Sequence, residues 1–82
     1  MEIFSVYDSA VGAFMQPFFS PSRGAAVRSA QDAVNDTKHE FNKHAGDYSL
    51  FILGSFDDAT GMFATAPPEQ VTTILSLLMR DA

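Results

Sequence analysis

The sequence predicts a small α+β domain in which a mainly antiparallel sheet is covered by helices, in the order β-β-α-β-β-α. Three observations predict this class. Segments 2–8 and 48–56 are rich in β-branched and aromatic residues, which is typical of strands. Apolar residues recur at helical spacing in segment 21–36, and the turn-forming sequence DDATG at 57–61 follows a strand-like segment. We expect the 82 residues to form one domain.

The first two predicted strands lie at the N-terminal end of the chain. EIFSVYD at 2–8 alternates its side chains between two faces, as a strand does. AFMQPFF at 13–19 resumes the extended aromatic pattern after a short turn. Because Pro17 has no N–H to donate, we expect this second strand to lie at a sheet edge or to break there.

Segment PSRGAAVRSAQDAVND at 21–36 is predicted to be helical by its caps and its spacing. Ser20 or Ser22 can serve as the N-cap, and Asn35 with Asp36 supplies the stop. The predicted buried stripe contains only alanine and valine, so this helix can approach the sheet closely. The stripe consists of Ala26, Val27, Ala30, Ala33 and Val34.

A polar connection and the strongest strand signal follow. TKHEFNKHAGD at 37–47 is predicted to be a long loop, with Phe41 able to pin it to the core. YSLFILGSF at 48–56 is almost continuously apolar, which predicts a central strand rather than an edge.

The C-terminal third is predicted to be a hairpin followed by a second helix. DDATG forms the turn and MFATA the return strand. Pro67 and Pro68 then end the strand and open a helix over 68–80. An apolar stripe on this helix is a candidate interface, either for a homodimer or for another protein. Its residues are Val71, Ile74, Leu75 and Leu78.

Composition restricts the classes of function. A formal charge of −5 opposes attraction to nucleic acid, yet segment 23–43 holds four basic residues against three acids. The absence of cysteine excludes disulfides and thiolate metal sites. No apolar stretch approaches about 18 residues, and the N-terminus lacks a basic segment followed by an apolar run. We therefore expect a cytoplasmic protein without a membrane partner.

Enzymatic and metal-binding readings find little support in the sequence. Serine, histidine and aspartate are present, but none lies in a recognisable catalytic motif, so we expect neither catalysis nor a cofactor. His39, Glu40, His44 and Asp47 could together bind a divalent metal. Their spacing fits no helical pair or known zinc pattern, which favours solvated loop side chains and no metal site.

Aromatic residues near the basic segment indicate a site for single-stranded nucleic acid. Such sites combine rings that stack bases with basic groups that follow the phosphates. The predicted site consists of Arg23, Arg28, Lys38 and Lys43 with the rings of Tyr7, Phe18 and Tyr48, and Phe14, Phe19 and Phe51 are further candidates. The alternative for each ring is burial in the core, the usual position of phenylalanine. Arg28 could likewise pair with Asp32, four residues along the helix.

Several separated segments carry a family resemblance in their order and spacing. They are YDS at 7–9, PFF at 17–19, RG and AVR within 23–28, DAVND at 32–36, KH and DY within 43–48, and LGSFDDATG at 53–61. On these segments, over about residues 3–63, the chain resembles the small nonstructural protein of gokushovirus-type microviruses, phages with single-stranded DNA genomes. The predicted C-terminal helix lies outside the resemblance.

The resemblance implies a non-catalytic phage protein of the host cytoplasm that binds single-stranded DNA in genome replication or packaging. Its role would be at the switch from making duplex copies to making or packaging single strands. The alternative is a homodimeric interaction module that recruits a phage replication or capsid protein without binding nucleic acid. An acidic chain fits this alternative better than unaided DNA binding, and the residues leave both readings open.

Overall fold

The computed structural model describes residues 1–79 and confirms the α+β class. Within this part of the chain, a five-stranded antiparallel sheet carries a long helix on one face. The strands are β1 (Glu2–Asp8), β2 (Ala13–Phe14), β3 (Phe18–Ser20), β4 (Tyr48–Asp57) and β5 (Met62–Thr73). The helices are α1 (Arg23–Val34) and α2 (Glu40–Lys43), and 3-10 turns occupy Ala45–Asp47 and Leu75–Leu77. The sheet order is β2-β1-β4-β5, with β3 also paired to β1.

β2 and β3 form one interrupted edge strand along β1. Tyr7 pairs with Phe14 and Phe4 pairs with Phe18, so two residues of β1 face three residues of the edge. Pro17 lies in this bulge outside the paired residues, so its missing N–H removes no hydrogen bond from the paired segments. The prediction of an edge strand that breaks at the proline is confirmed.

Helix α1 begins and ends where its caps predict. The Ser22 hydroxyl accepts a hydrogen bond from the Ala25 N–H at 3.1 Å, and Asn35 is the C-cap. The small side chains of Ala26, Ala30 and Val34 are buried against the sheet. Small residues on this stripe allow the close approach expected from the sequence.

The connection between α1 and β4 is more ordered than the predicted loop, because it contains α2 and a 3-10 turn. The His39 Nδ1 accepts a hydrogen bond from the Phe41 N–H at 3.0 Å at the start of α2. Phe41 is buried, and its ring centroid lies 4.8 Å from that of Tyr48. Phe41 therefore pins the connection to the core, as predicted.

β4 lies between β1 and β5, which confirms it as a central strand. One hydrophobic core forms between α1 and the face of the sheet that α1 covers. The core consists of Phe4, Val6, Ala26, Ala30, Val34, Phe41, Ala45, Leu50 and Ile74.

The predicted helix over 68–80 is wrong. β5 continues through Pro67 and Pro68 to Thr73, and a single 3-10 turn follows it. Residue 80, the last of the predicted helix, lies outside the described residues.

A bulge accommodates the two prolines. Ile52 pairs with Glu69 and Gly54 pairs with Thr65, so one residue of β4 faces three of β5, the prolines among them. Because β5 is an edge strand, residues without an N–H are tolerated here. Gly54 has a φ of 155°, and a Cβ at this position would overlap the carbonyl oxygen of Ala64. The bulge therefore requires glycine.

Candidate functional site

The two faces of the sheet have different surroundings. Phe4, Val6 and Leu50 point toward α1 and belong to the core. Side chains alternate along a strand, so their neighbours point to the opposite face, which none of the helices within residues 1–79 covers. We call this the open face. Its strand residues are Ile3, Ser5, Tyr7, Phe14, Phe19, Ser49, Phe51, Gly54, Phe56, Phe63, Thr65, Gln70 and Thr73.

Six aromatic rings lie on the open face in two groups of three. The body triad contains Tyr7, Phe14 and Phe51, whose ring centroids lie 5.0 to 6.2 Å apart in edge-to-face geometry. The tip triad contains Phe19, Phe56 and Phe63, with centroids 5.0 to 6.2 Å apart. These separations are typical of favourable aromatic pairs.

Both triads present rings to solvent. Phe14 is 42% exposed in the body triad, and Phe19 and Phe63 are 50% and 58% exposed in the tip triad. Large exposed apolar patches on a small domain mark interaction surfaces. The open face can therefore stack planar groups or bury apolar partner surface.

None of the strand residues on the open face is charged. Among the strands of residues 1–79, the charged side chains are Glu2, Asp8, Asp57 and Glu69. Their positions in the register place them with the residues that face α1. The sheet is thus segregated, with its carboxylates on the helix-covered side and its rings on the uncharged side.

The two predicted arginines lie on α1 and not on the open face. Arg23 is half exposed, with its guanidinium 3.9 Å from the Glu69 carboxylate. Arg28 is exposed on α1 and shares a surface groove with Asp32 and Asn35. An exposed ion pair of this kind contributes little stability, so Arg23 remains able to exchange its partner.

The two predicted lysines lie in the connection after α1. Lys38 is exposed, and its backbone N–H donates to the Asp36 Oδ1 at 2.9 Å. Lys43 lies on α2 with its Nζ 3.8 Å from the Glu40 carboxylate. All four predicted cations are therefore in the helical layer, and acids accompany Arg23 and Lys43.

The three predicted rings do not share one surface. Tyr7 lies on the open face in the body triad. Phe18 points the other way and packs on Phe4, with ring centroids 5.9 Å apart. Tyr48 also lies on the helix side, against Phe41. The structure thus separates Tyr7 from the cations that were expected beside it.

Tyr48 lies in an acidic environment. Burial raises the pKa of its phenol above the ordinary value of 10.0, and the charges of Asp8, Glu40 and Asp47 add to this effect. A phosphate would meet the same negative field. The acidic residues around Tyr48 therefore disfavour binding of a nucleic-acid backbone beside this ring.

The predicted interface residues do not form a stripe on one helix. Ile74 is fully buried in the core, and Val71 and Leu78 pack partly against it. Leu75 is 47% exposed. These residues mainly close the end of the core.

Phe56 and Phe63 are the open-face rings that sequence reasoning missed. They lie directly opposite each other across the β4–β5 hairpin. The signal was present in the turn sequence DDATG, because a four-residue loop at 58–61 pairs Asp57 with Met62 and therefore Phe56 with Phe63.

The comparison with family models decides the family. The model of the Phage ORF5 protein family matches residues 1–77. The chain belongs to the phage ORF5 protein family. The match includes all of β5, beyond the 3–63 span of the resemblance, and it identifies a phage protein. Neither the search of curated proteins nor the search of solved structures finds a match.

Over residues 1–79, no group of three or more histidine, aspartate and glutamate side chains could hold a metal ion. No helix in the same part of the chain is long and apolar enough to cross a bilayer.

Proposed function

We propose that this phage protein binds single-stranded DNA during genome replication or packaging, by stacking bases on the open face. The observation that carries the proposal is an uncharged sheet face with the accessible rings of Phe14, Phe19 and Phe63. Stacking on such rings contributes roughly 1–3 kcal/mol per base and tolerates any sequence. In this proposal the chain is the gokushovirus-type nonstructural protein and acts without catalysis in the host cytoplasm.

The proposal requires a shallow dependence of affinity on salt. For single strands, the logarithm of the binding constant falls with the logarithm of salt concentration by about 0.7 per neutralised phosphate. The open-face strand residues offer no cation, so we allow about one contact at the rim. Raising salt from about 50 to 200 mM then weakens binding less than about threefold. A strand that followed all four predicted cations would lose about 50-fold over the same range.

The test is a fluorescence anisotropy titration of a labelled oligothymidine at both salt concentrations. Phe14→Ala and Phe63→Ala should each weaken binding by about 5- to 150-fold, because each removes one stacking ring. The matched control is Arg23→Ala with Arg28→Ala, which should leave affinity and salt slope unchanged. Far-UV circular dichroism checks that each variant folds.

Two results would refute this site. One is the absence of any anisotropy change at about 50 mM salt. The other is a loss of binding in the arginine variant while both phenylalanine variants bind normally. That result would place the binding site on α1 and not on the open face.

A second candidate function is the interaction module that recruits a phage replication or capsid protein. The lack of charge on the open face favours it, because charged residues are depleted at the core of protein interfaces. Calorimetric titration with each purified phage protein tests this function. Heat that is present with the native chain and lost in Phe63→Ser, in the absence of oligonucleotide binding, would support it.

A further inference from the structure

The two edges of the sheet differ in how they are protected from pairing. An edge strand exposes backbone N–H and C=O groups, and proteins block such edges with proline, charge or bulges. The edge of β2 and β3 is interrupted at Pro17. β5 is interrupted at Pro67 and Pro68 and carries Glu69. Residues 62–66, next to the hairpin turn, are exposed, uncharged and free of proline.

Two residues of this segment direct their backbone groups to the free edge. Phe56 exchanges two backbone hydrogen bonds with Met1, at 2.8 and 3.2 Å, so its N–H and C=O point away from β5. Phe63 lies opposite Phe56 in a non-hydrogen-bonded pair, so the groups of Phe63 point outward. The register is continuous from Phe63 to Thr65, and therefore Thr65 also points outward.

The segment is complementary to a second copy of itself. If two copies pair antiparallel about Ala64, Phe63 of each lies opposite Thr65 of the other, and the outward groups form four backbone hydrogen bonds. Large side chains then meet small ones, Phe63 against Thr65 and Met62 against Ala66. We propose that the protein forms a two-fold dimer in which residues 62–66 of β5 pair with the same residues of a second copy.

The accessible surface area and the radius of gyration of the chain are both larger than expected for a compact monomer, as they would be if a partner normally covered part of its surface. Its accessible surface is 5351 Å², against about 4800 Å² for a typical monomer of its mass. Its radius of gyration is 13.3 Å, against about 11.7 Å for a compact domain of this length. A pair of five-residue strands buries little surface, and weak complexes bury less than about 1,200 Å² of accessible surface in total. The dimer should therefore exchange with monomer at micromolar concentrations.

The pairing would join the two open faces. Residues directly opposite in an antiparallel pair point to the same face, so both tip triads lie on one side of a continuous sheet. The inference rests on the edge geometry alone and does not depend on the proposed function. If the proposed function holds, the dimer doubles the length of the stacking surface.

Sedimentation velocity over about 1–500 μM protein tests the inference. The native chain should shift from its 8.9 kDa monomer toward twice that mass as concentration rises. Thr65→Pro removes an outward N–H but no hydrogen bond to β4, so it should remain monomeric with an unchanged circular dichroism spectrum. The matched control Thr65→Val keeps the N–H and should dimerise like the native chain.

A charge exchange at Ala64 provides a second test that does not use proline. The two copies of residue 64 lie directly opposite each other, so Ala64→Lys alone and Ala64→Glu alone should both be monomeric. An equimolar mixture of the two variants should restore the dimer. A native chain that is monomeric at 500 μM, a Thr65→Pro variant that folds and dimerises normally, or the absence of rescue in the mixture overturns the proposal.

Salt separates this inference from the proposed function. Each copy carries a formal charge of −5, so screening should strengthen the dimer as salt rises. Binding of oligothymidine should weaken slightly over the same range. A protein that dimerises without binding DNA, or binds DNA only as a monomer, therefore fails one proposal and not the other.

Discussion

The clearest structural prediction concerns Ile74, which is fully buried in the core between α1 and the sheet. Its backbone N–H also donates to the Tyr48 carbonyl oxygen at 3.0 Å. Ile74→Val removes one buried carbon and should lower the free energy of unfolding by about 1 kcal/mol. Ile74→Ala removes three and leaves a cavity, so it should cost about 2–5 kcal/mol. The neighbouring Leu75 is 47% exposed, and Leu75→Ala should cost less than about 1 kcal/mol.

Urea unfolding followed by far-UV circular dichroism measures these differences. With a slope near 1 kcal/mol per molar urea, as for small domains, Ile74→Val should lower the midpoint by about 1 M. Equal losses for Ile74→Ala and Leu75→Ala would refute the reasoning. So would losses in both that disappear at high protein concentration, since that pattern indicates a shared helical interface.

Three further predictions concern Gly54, Tyr48 and Asn35. Gly54→Ala should lower the free energy of unfolding by more than about 2 kcal/mol in the same urea assay, because its Cβ would overlap a carbonyl oxygen of β5. At Gly46 an added Cβ meets open space, so Gly46→Ala should change the free energy of unfolding by less than about 1 kcal/mol. The pKa of Tyr48 is raised on folding, so its contribution to stability is present below pH 10.0 and is lost as pH rises through the folded pKa. Urea midpoints between pH 9 and 11 should therefore fall less steeply in Tyr48→Phe. Asn35→Ala removes a hydrogen bond of 2.7 Å from the Met79 N–H, and amide hydrogen exchange at Met79 should become faster, while no change there would contradict this contact.

Local signals predicted the elements that tertiary contacts do not alter. α1 has both a capping serine and an apolar stripe, and each favours the same helix. β4 is predicted to be central by its continuous apolar run, and it lies between β1 and β5, although α1 covers only one of its faces. The proline at 17 marked an edge because it cannot donate to a ladder.

The C-terminal segment was mispredicted because two periods fit the same residues. Val71, Ile74 and Leu78 have helical spacing, but residues 71–74 are all β-branched, which favours a strand. Pairing with β4 decides between them, and the edge position lets Pro67 and Pro68 form a bulge. The local sequence does not show that residues 62–73 form an edge strand with room for this bulge.

The candidate site was predicted only in part for a similar reason. Tyr7, Phe14, Phe19 and Phe51 were recognised as candidate rings, and the structure places all four on the open face. The face that a ring shares with a cation depends on register and on which side α1 packs. Neither is encoded locally, so the sequence alone could not show whether the arginines lie on the same face of the sheet as Tyr7.

The central claim is that the open face is the functional surface. Chemical-shift mapping of the ¹⁵N-labelled protein with unlabelled oligothymidine tests this claim most directly. We expect the largest shifts at the amides of Phe14, Phe19 and Phe63 and small shifts along α1. Largest shifts at Arg23 and Arg28, or no shifts at millimolar oligonucleotide, would contradict the account.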